Sequence, residues 1–287
     1  MDTLIDTKTS PAEKFYRGIT NWIRLLPDFI ILGTQRGGTT SLYSYLASHP
    51  CIGPASIKEV HFFDNKFTKG VAWYRAHFPL LLEKYYAQYM RQRNFITGEA
   101  SPYYLFHPLV PKRVARVVPH AKLIVLLRNP VDRAYSQYNH ERDGGRETLS
   151  TFEEAIEREE ERIAGDRKQR FTDEHYISYD HQHHSYLAKG IYVNQLRNWM
   201  SCFPKEQFLI LKSEDFYANL SATLQQTLAF LDIPTATLTS EEQEYKQYNK
   251  KTFTKMNPDT RKRLIEYFEP YNERLYEYLG RDFGWNK

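Results

Sequence analysis

Cysteine is nearly absent from this 287-residue chain, which carries only Cys51 and Cys202. The two are far apart and outside any C-x-x-C pair, which excludes a disulfide scaffold and a cysteine zinc site and fits a reducing compartment. Also missing is any block of five or six consecutive basic residues, and the formal net charge is only +4. A clustered nucleic-acid footprint is thereby excluded, so anion handling has to be local. Long apolar runs are lacking too: "LIVLL" at 123–127 has the length of a buried strand, and the opening "MDTLIDTKTSPAEKFYRGITNW" has no apolar h-region. These absences predict no export signal, no membrane span and a cytoplasmic protein. No internal repeat appears and no linker demands a second domain, so the reading is an extension over 1–27 followed by one domain over 28–287.

What is present is a globular composition, with 41% hydrophobic and 26% charged residues. The aromatic share is high, 22 Tyr and 17 Phe among them. Most of these rings belong in the core, but the surplus suits a ring-lined cleft. "DFIILGT" at 28–34 reads as a buried strand followed by a loop and a helix on which Leu42, Tyr45 and Leu46 fall at helical spacing. The pattern returns at 121–130, where Pro130 can open a helix, and at 207–216. Residues 71–93 suggest two helices broken at Pro79, and 94–108 a short strand running into a loop. Thr151 to Ile163 reads as one acidic helix with a solvated charged face, 165–185 as a loop, and the end as a helix from Pro258 to a Gly280 stop. Strands alternating with helices give an α/β fold with a central parallel sheet whose functional edge is at the carboxyl ends of its strands.

The stretch "LGTQRGGTTSL" at 32–42 follows the first strand. Gly33 and Gly38 have the spacing of a phosphate-binding loop, but Thr39 and Thr40 stand where a lysine and a hydroxyl residue should continue it. Glycines at 37 and 38 allow close backbone approach, and Thr39, Thr40 and Ser41 open a helix whose free N–H groups attract an anion. A purely structural strand-to-helix cap is the plainer alternative. A dinucleotide site is disfavoured because no G-x-G-x-x-G is present. Magnesium–ATP chemistry is disfavoured because the lysine is missing and no strand ending in a metal-binding aspartate follows.

Three ordered segments resemble the sulfotransferases that use 3′-phosphoadenylyl sulfate (PAPS), particularly the branch that includes the heparan sulfate enzymes. "TQRGGTTSL" resembles that family's 5′-phosphosulfate loop, "KEVHFFD" at 58–64 its catalytic segment and "LLRNPVDRAYSQYNH" at 126–140 its 3′-phosphate element. "GEASPYYLF", "GIYVNQLRNW" and "LGRDFGW" extend the likeness to the end. The resemblance implies a PAPS donor and a PAP product held by Arg36, Gly37, Gly38, Thr39, Thr40, Ser41, Arg128 and Ser136, with Lys250 or Lys251 reaching the 3′-phosphate and Phe253 stacking on adenine. The region holding those lysines also reads as a solvated basic loop.

A sulfuryl group carries less charge than a terminal phosphoryl group, so arginine and amide donors suffice for its transfer and no metal is required. The family commonly has lysine at position 36; arginine there is suited to stabilising charge on the departing phosphate. The resemblance makes Glu59 the general base, and rings beside it predict a raised pKa. His61 either orients the acceptor or shares the proton, and Lys58 either pairs in the neighbourhood of Glu59 or touches the sulfate. Arg133 reads as a structural ion-pair partner. His181, His183 and His184 look like metal ligands, yet a solvent-facing or acceptor-touching role suits that loop better. Where the glycan enzymes have Glu-Lys-Thr-Pro, this chain has Ala100 in place of the lysine. Residues 141–174 hold seven basic against twelve acidic residues, 7 − 12 = −5. Both features favour a small neutral or cationic acceptor, with an oligosaccharide as the alternative. The competing classes are a P-loop kinase and a non-catalytic PAP-binding module.

Overall fold

The computed structural model describes residues 10–165, 177–234 and 254–286. Five strands, β1 (Phe29–Gly33), β2 (Ile52–Pro54), β3 (Ile96–Ala100), β4 (Lys122–Leu127) and β5 (Phe208–Lys212), form one parallel sheet in the order β2-β3-β1-β4-β5. Ile31 of β1 lies opposite Ala100 of β3 on one side and Ile124 of β4 on the other. This is the α/β fold expected, with three of its strands within a residue or two of their expected places. The edge strand β2 is an addition to that expectation, because three residues ending in proline carry no readable period.

Both faces of the sheet are covered, which is why β1 and β4 are almost wholly apolar. Side chains alternate across a strand. Ile30, Leu32, Leu123, Val125 and Leu127 therefore enter one core with Val110, Val114, Leu196 and Trp199, while Phe29, Ile31, Ile124 and Leu126 enter another with Leu42, Leu46, Phe216 and Leu224. A third cluster joins Val131, Ala134 and Tyr138 of the Pro130–Asp143 helix to Phe268 of the Pro258–Leu279 helix. The latter ends at Gly280, whose φ of 66° stops it in the left-handed region.

From central β1 the chain runs outward to β2, returns through β3 and crosses to β4, so the order reverses at β1. In open α/β sheets such a reversal opens a crevice at the carboxyl ends of the strands. Two expectations for the outer layer need correction. The acidic stretch is two helices, Phe152–Glu157 and Glu159–Ala164, interrupted at Arg158, and Glu159 is turned inward to accept the amides of Leu187 (2.6 Å) and Ala188 (2.8 Å). Within 165–185, residues 166–176 lie outside the described residues, and Tyr179–His183 forms a short helix capped by Ser178 rather than a loop.

Candidate active site

The loop from Thr34 to Gly38 leaves the carboxyl end of β1 and feeds the Thr39–Ser48 helix. Three bonds fix its path: Thr34 N donates to the Leu126 carbonyl of β4 at 2.8 Å, Gly37 N to Thr34 O within the loop at 2.9 Å, and the Ser213 hydroxyl, just past β5, to Gly37 O at 2.6 Å. Gly38 caps the helix with φ 98°, and a Cβ there would stand 2.9 Å from the Tyr217 hydroxyl, so only glycine fits. Thr39, Thr40 and Ser41 make the first helical turn, whose amides have no acceptor within the helix.

Arg36, itself left-handed with φ 68°, sends its side chain across to the Pro130–Asp143 helix, where Nε donates to Ser136 Oγ at 3.0 Å. Arg128, beyond the end of β4, donates from Nη1 to the Arg36 carbonyl at 3.0 Å, and Tyr192 OH holds the Arg128 carbonyl at 2.7 Å. Arg36, Arg128 and Ser136 are thus brought together beside the glycine loop. Among the described residues neither guanidinium has a carboxylate within ion-pair distance. Burial first, and then the neighbouring Arg128 charge, lower the Arg36 pKa. Two crowded cations beside a helix N-terminus are a receptor for an anion.

The second half of the site sits over the end of β3. Glu59 N donates to the Ala100 carbonyl at 3.1 Å, and the segment that follows has no regular structure. Lys58 Nζ lies 2.5 Å from Glu59 Oε1, His61 Nε2 3.3 Å from Glu59 Oε2, and His61 Nδ1 2.7 Å from Asp64 Oδ2. The expected rise in the Glu59 pKa is overturned. Burial pushes it up, but the bonds from His61 and Lys58 outweigh burial and hold it at about 2. His61 is the mirror case: burial lowers it, and Asp64 and Glu59 raise it to about 10. At neutral pH the cluster is an ionised Glu59 between two cations, with buried Asp64 aiming the imidazole.

Several contributors escape a reading of the sequence. Asp64 is three residues from His61 and could have been found by that spacing. Tyr217 lies against Gly38, and Lys189, buried, donates to Gln35 Oε1 at 2.8 Å and to the Gln182 carbonyl. Burial drives Lys189 down to about 7. The three histidines do not converge. His181 is buried, bonded to Tyr103 OH at 2.7 Å and stacked on Phe106, so it is not solvent-facing; His183 meets Glu141 and His184 meets Asp180. Arg133 is structural, as expected, but bonds Gln137 and the Tyr186 carbonyl instead of a carboxylate. Lys250, Lys251 and Phe253 lie outside the described residues.

Comparison with known proteins supplies the family. The sulfotransferase domain model matches residues 26–273. Membrane-associated sulfotransferase kil1 of Dictyostelium discoideum is 30% identical over 325 positions, taking in 91% of this chain and 66% of that protein. Human heparan sulfate glucosamine 3-O-sulfotransferase 3B1 is 28% identical over 299 positions, 96% of this chain and 69% of its own length. The chain therefore spans about two thirds of these relatives. A crystal structure of a sulfotransferase from Alicyclobacillus acidocaldarius superposes with a TM-score of 0.69 at 29% identity, covering 92% of this chain and all of that one. Matched over most of its length by the domain model, and built on a sheet whose central loop opens an anion receptor, the chain belongs to the sulfotransferase domain family.

Proposed function

We propose that the protein transfers the sulfo group of PAPS to a hydroxyl or amine-type nitrogen of an acceptor, with PAP as the product. The observation carrying this reading is the pair of guanidiniums, Arg36 and Arg128, left without carboxylate partners among the described residues beside a helix N-terminus. A 5′-phosphosulfate fits the amides of residues 37–41 and the Arg36 fork, and a 3′-phosphate fits Arg128 and Ser136. When bound, this donor supplies an electrophilic sulfur on a phosphate leaving group. Arg36 then stabilises the negative charge that grows on the departing oxygen.

Glu59 accepts the acceptor's proton as the sulfur–oxygen bond forms and the bond to phosphate breaks. A carboxylate held at about 2 is ionised but weakly basic. The Lys58 bond is one of those that depress it, so any contact that draws Lys58 away raises the basicity of Glu59. His61, kept cationic by Asp64, orients Glu59 and does not compete for the proton.

For the acceptor we favour a hydroxylated, sugar-like molecule over the small cationic one. The charge argument for the latter is weakened: Ala100 is fully buried in β3, and Glu141, Glu147 and Glu159 of the acidic stretch are buried, although Asp143, Glu154, Glu157, Glu160 and Glu161 are exposed. The residues that meet the end of the catalytic segment at Asn65 offer a ring and amides instead. Phe106, half-buried, stacks on the buried His181, and the half-buried Asn65 donates from Nδ2 to Gln182 Oε1 at 3.0 Å. Such a wall suits the apolar face and hydroxyl rim of a sugar. Calorimetry with PAP, AMP and magnesium–ATP tests the donor: tight binding of PAP alone is expected, and preference for magnesium–ATP rejects the reading in favour of a kinase. Mass spectrometry of a panel of desulfated glycan oligosaccharides and small alcohols and amines tests the acceptor, with a sulfo gain confined to the small molecules reversing our choice.

A further inference from the structure

Beneath the catalytic segment lies a carboxylate to which the chemistry above gives no task. Glu99 of β3 is wholly buried. Its partners among the described residues are three neutral hydroxyls: Tyr74 OH at 2.6 Å and Tyr104 OH at 3.2 Å on Oε1, and Ser101 Oγ at 2.8 Å on Oε2. Burial pushes this carboxyl up to about 7, against the pull of the hydroxyl donors. An acid buried without a cation is costly, and a glutamine or leucine of similar volume would avoid that cost.

Two of those hydroxyls have a second set of bonds. Tyr104 OH accepts the amides of Phe62 (2.8 Å) and Phe63 (3.3 Å), and Ser101 Oγ accepts the amide of His61 (3.3 Å). These are consecutive residues of the catalytic segment. That segment carries two non-glycine residues in the left-handed region, Glu59 at φ 60° and His61 at φ 55°, a conformation that persists only where its surroundings over-determine it. On its other side the carbonyls of Phe63 and Asp64 accept from Arg113 at 2.6 and 2.9 Å, and that of Val60 from Lys66 at 3.1 Å.

We infer that Glu99 is a positioning residue for sulfo transfer, setting the direction of the Tyr104 and Ser101 hydroxyls so that they hold residues 61–63, and with them Glu59 and His61, in the reactive arrangement. The physical reason is donor–acceptor arithmetic. In its ionised form the carboxylate only accepts, so every hydroxyl proton around it points inward and each hydroxyl oxygen is left to receive an amide. A glutamine at 99 would offer an N–H of its own, and one hydroxyl would have to turn and aim its proton at the backbone amides it now accepts.

The inference about catalysis rests on the proposed function, whereas the pinning can be read without it. Hydrogen exchange on Glu99→Gln should show the amides of 61–63 exchanging about tenfold faster or more, with residues 36–41 unchanged. The same variant should lose about tenfold or more in kcat while donor KM stays within about twofold. Tyr104→Phe, which keeps the ring but removes the shared hydroxyl, provides the second variant and should behave likewise. Tyr74→Phe, which alters a residue that bonds Glu99 but none of these amides, should leave both readouts near wild type. Unchanged exchange in folded Glu99→Gln and Tyr104→Phe overturns the inference, and so does faster exchange with wild-type kcat. A wild type inert toward every sulfo donor would reject the proposed function, while the exchange rates would still decide whether Glu99 pins the segment.

Discussion

The loop at 34–41 and the segment at 58–64 stand over neighbouring strands and solve opposite problems. The loop is held by regular elements, with bonds from β4 and from the Ser213–Ala218 helix after β5, and it keeps its cations, Arg36 and Arg128, without anionic partners among the described residues. The segment has no regular structure and is held by side chains, while its charges compensate one another: Lys58 and His61 on Glu59, and His61 on Asp64. A binding site for an anion has to present uncompensated positive charge, and crowding two guanidiniums is the cost of doing so. An acid–base site has to fix the protonation state and direction of each group before the substrate arrives, which neighbouring opposite charges achieve.

The contrast can be broken most severely at Glu59. Glu59→Gln should lower turnover by about 10²–10⁴-fold while PAP affinity stays at the wild-type level, since the amide keeps the shape but cannot take a proton. A matching loss of PAP binding, measured by calorimetry, would erase the distinction between the two regions. Arg128→Ala should do the converse and weaken PAP by about 10–100-fold, the worth of a charge-assisted hydrogen bond or two, with a much smaller effect on AMP. Equal losses for the two nucleotides would remove Arg128 from the 3′-phosphate.

A finer test uses pH. His61, raised to about 10 from an ordinary 6.5, contributes stability that is complete below 6.5 and is lost as pH climbs through 10. Glu59, depressed to about 2 from 4.5, contributes above 4.5 and loses its share as pH falls towards 2. Both groups keep some solvent contact, so each effect is modest. Asp64→Asn should flatten the fall in Tm between pH 6.5 and 10, and a slope equal to wild type would mean that Asp64 does not hold the imidazolium. The smallest expected change is Ser136→Ala, which removes one neutral hydroxyl from Arg36 and should weaken PAP by about two- to tenfold. A loss as large as that of Arg128→Ala would show that Ser136 holds the 3′-phosphate as strongly as the guanidinium does.

Legibility differs between the two regions as well. The loop is readable because its signal is local: an apolar run, glycines at fixed offsets and hydroxyl residues opening a helix. Arg128 can be placed at the end of an apolar strand, and Ser136 on the next helix, by spacing alone. The catalytic segment is readable only as a resemblance to a family motif. Rings nearby in sequence suggest desolvation of Glu59 and hence a raised pKa, whereas the deciding factor is where the Lys58 and His61 side chains point. Lys189 and Glu99 are invisible, since a lysine in "LAKGIY" and a glutamate in "TGEASP" look like ordinary polar residues until the fold buries them.

Sequence alone determined the alternation of buried strands and helices, the parallel sheet that follows from it, and the anion-attracting turn at its central strand. These depend on periodicity and backbone chemistry within a few residues, which no distant contact has to supply. Tertiary structure alone decided which acidic side chains are surface and which are interior, and what protonation state each holds. A carboxylate's free energy depends on the dipoles and charges packed directly against it, and for Glu99 these include the hydroxyl of Tyr74, 25 positions away in the chain.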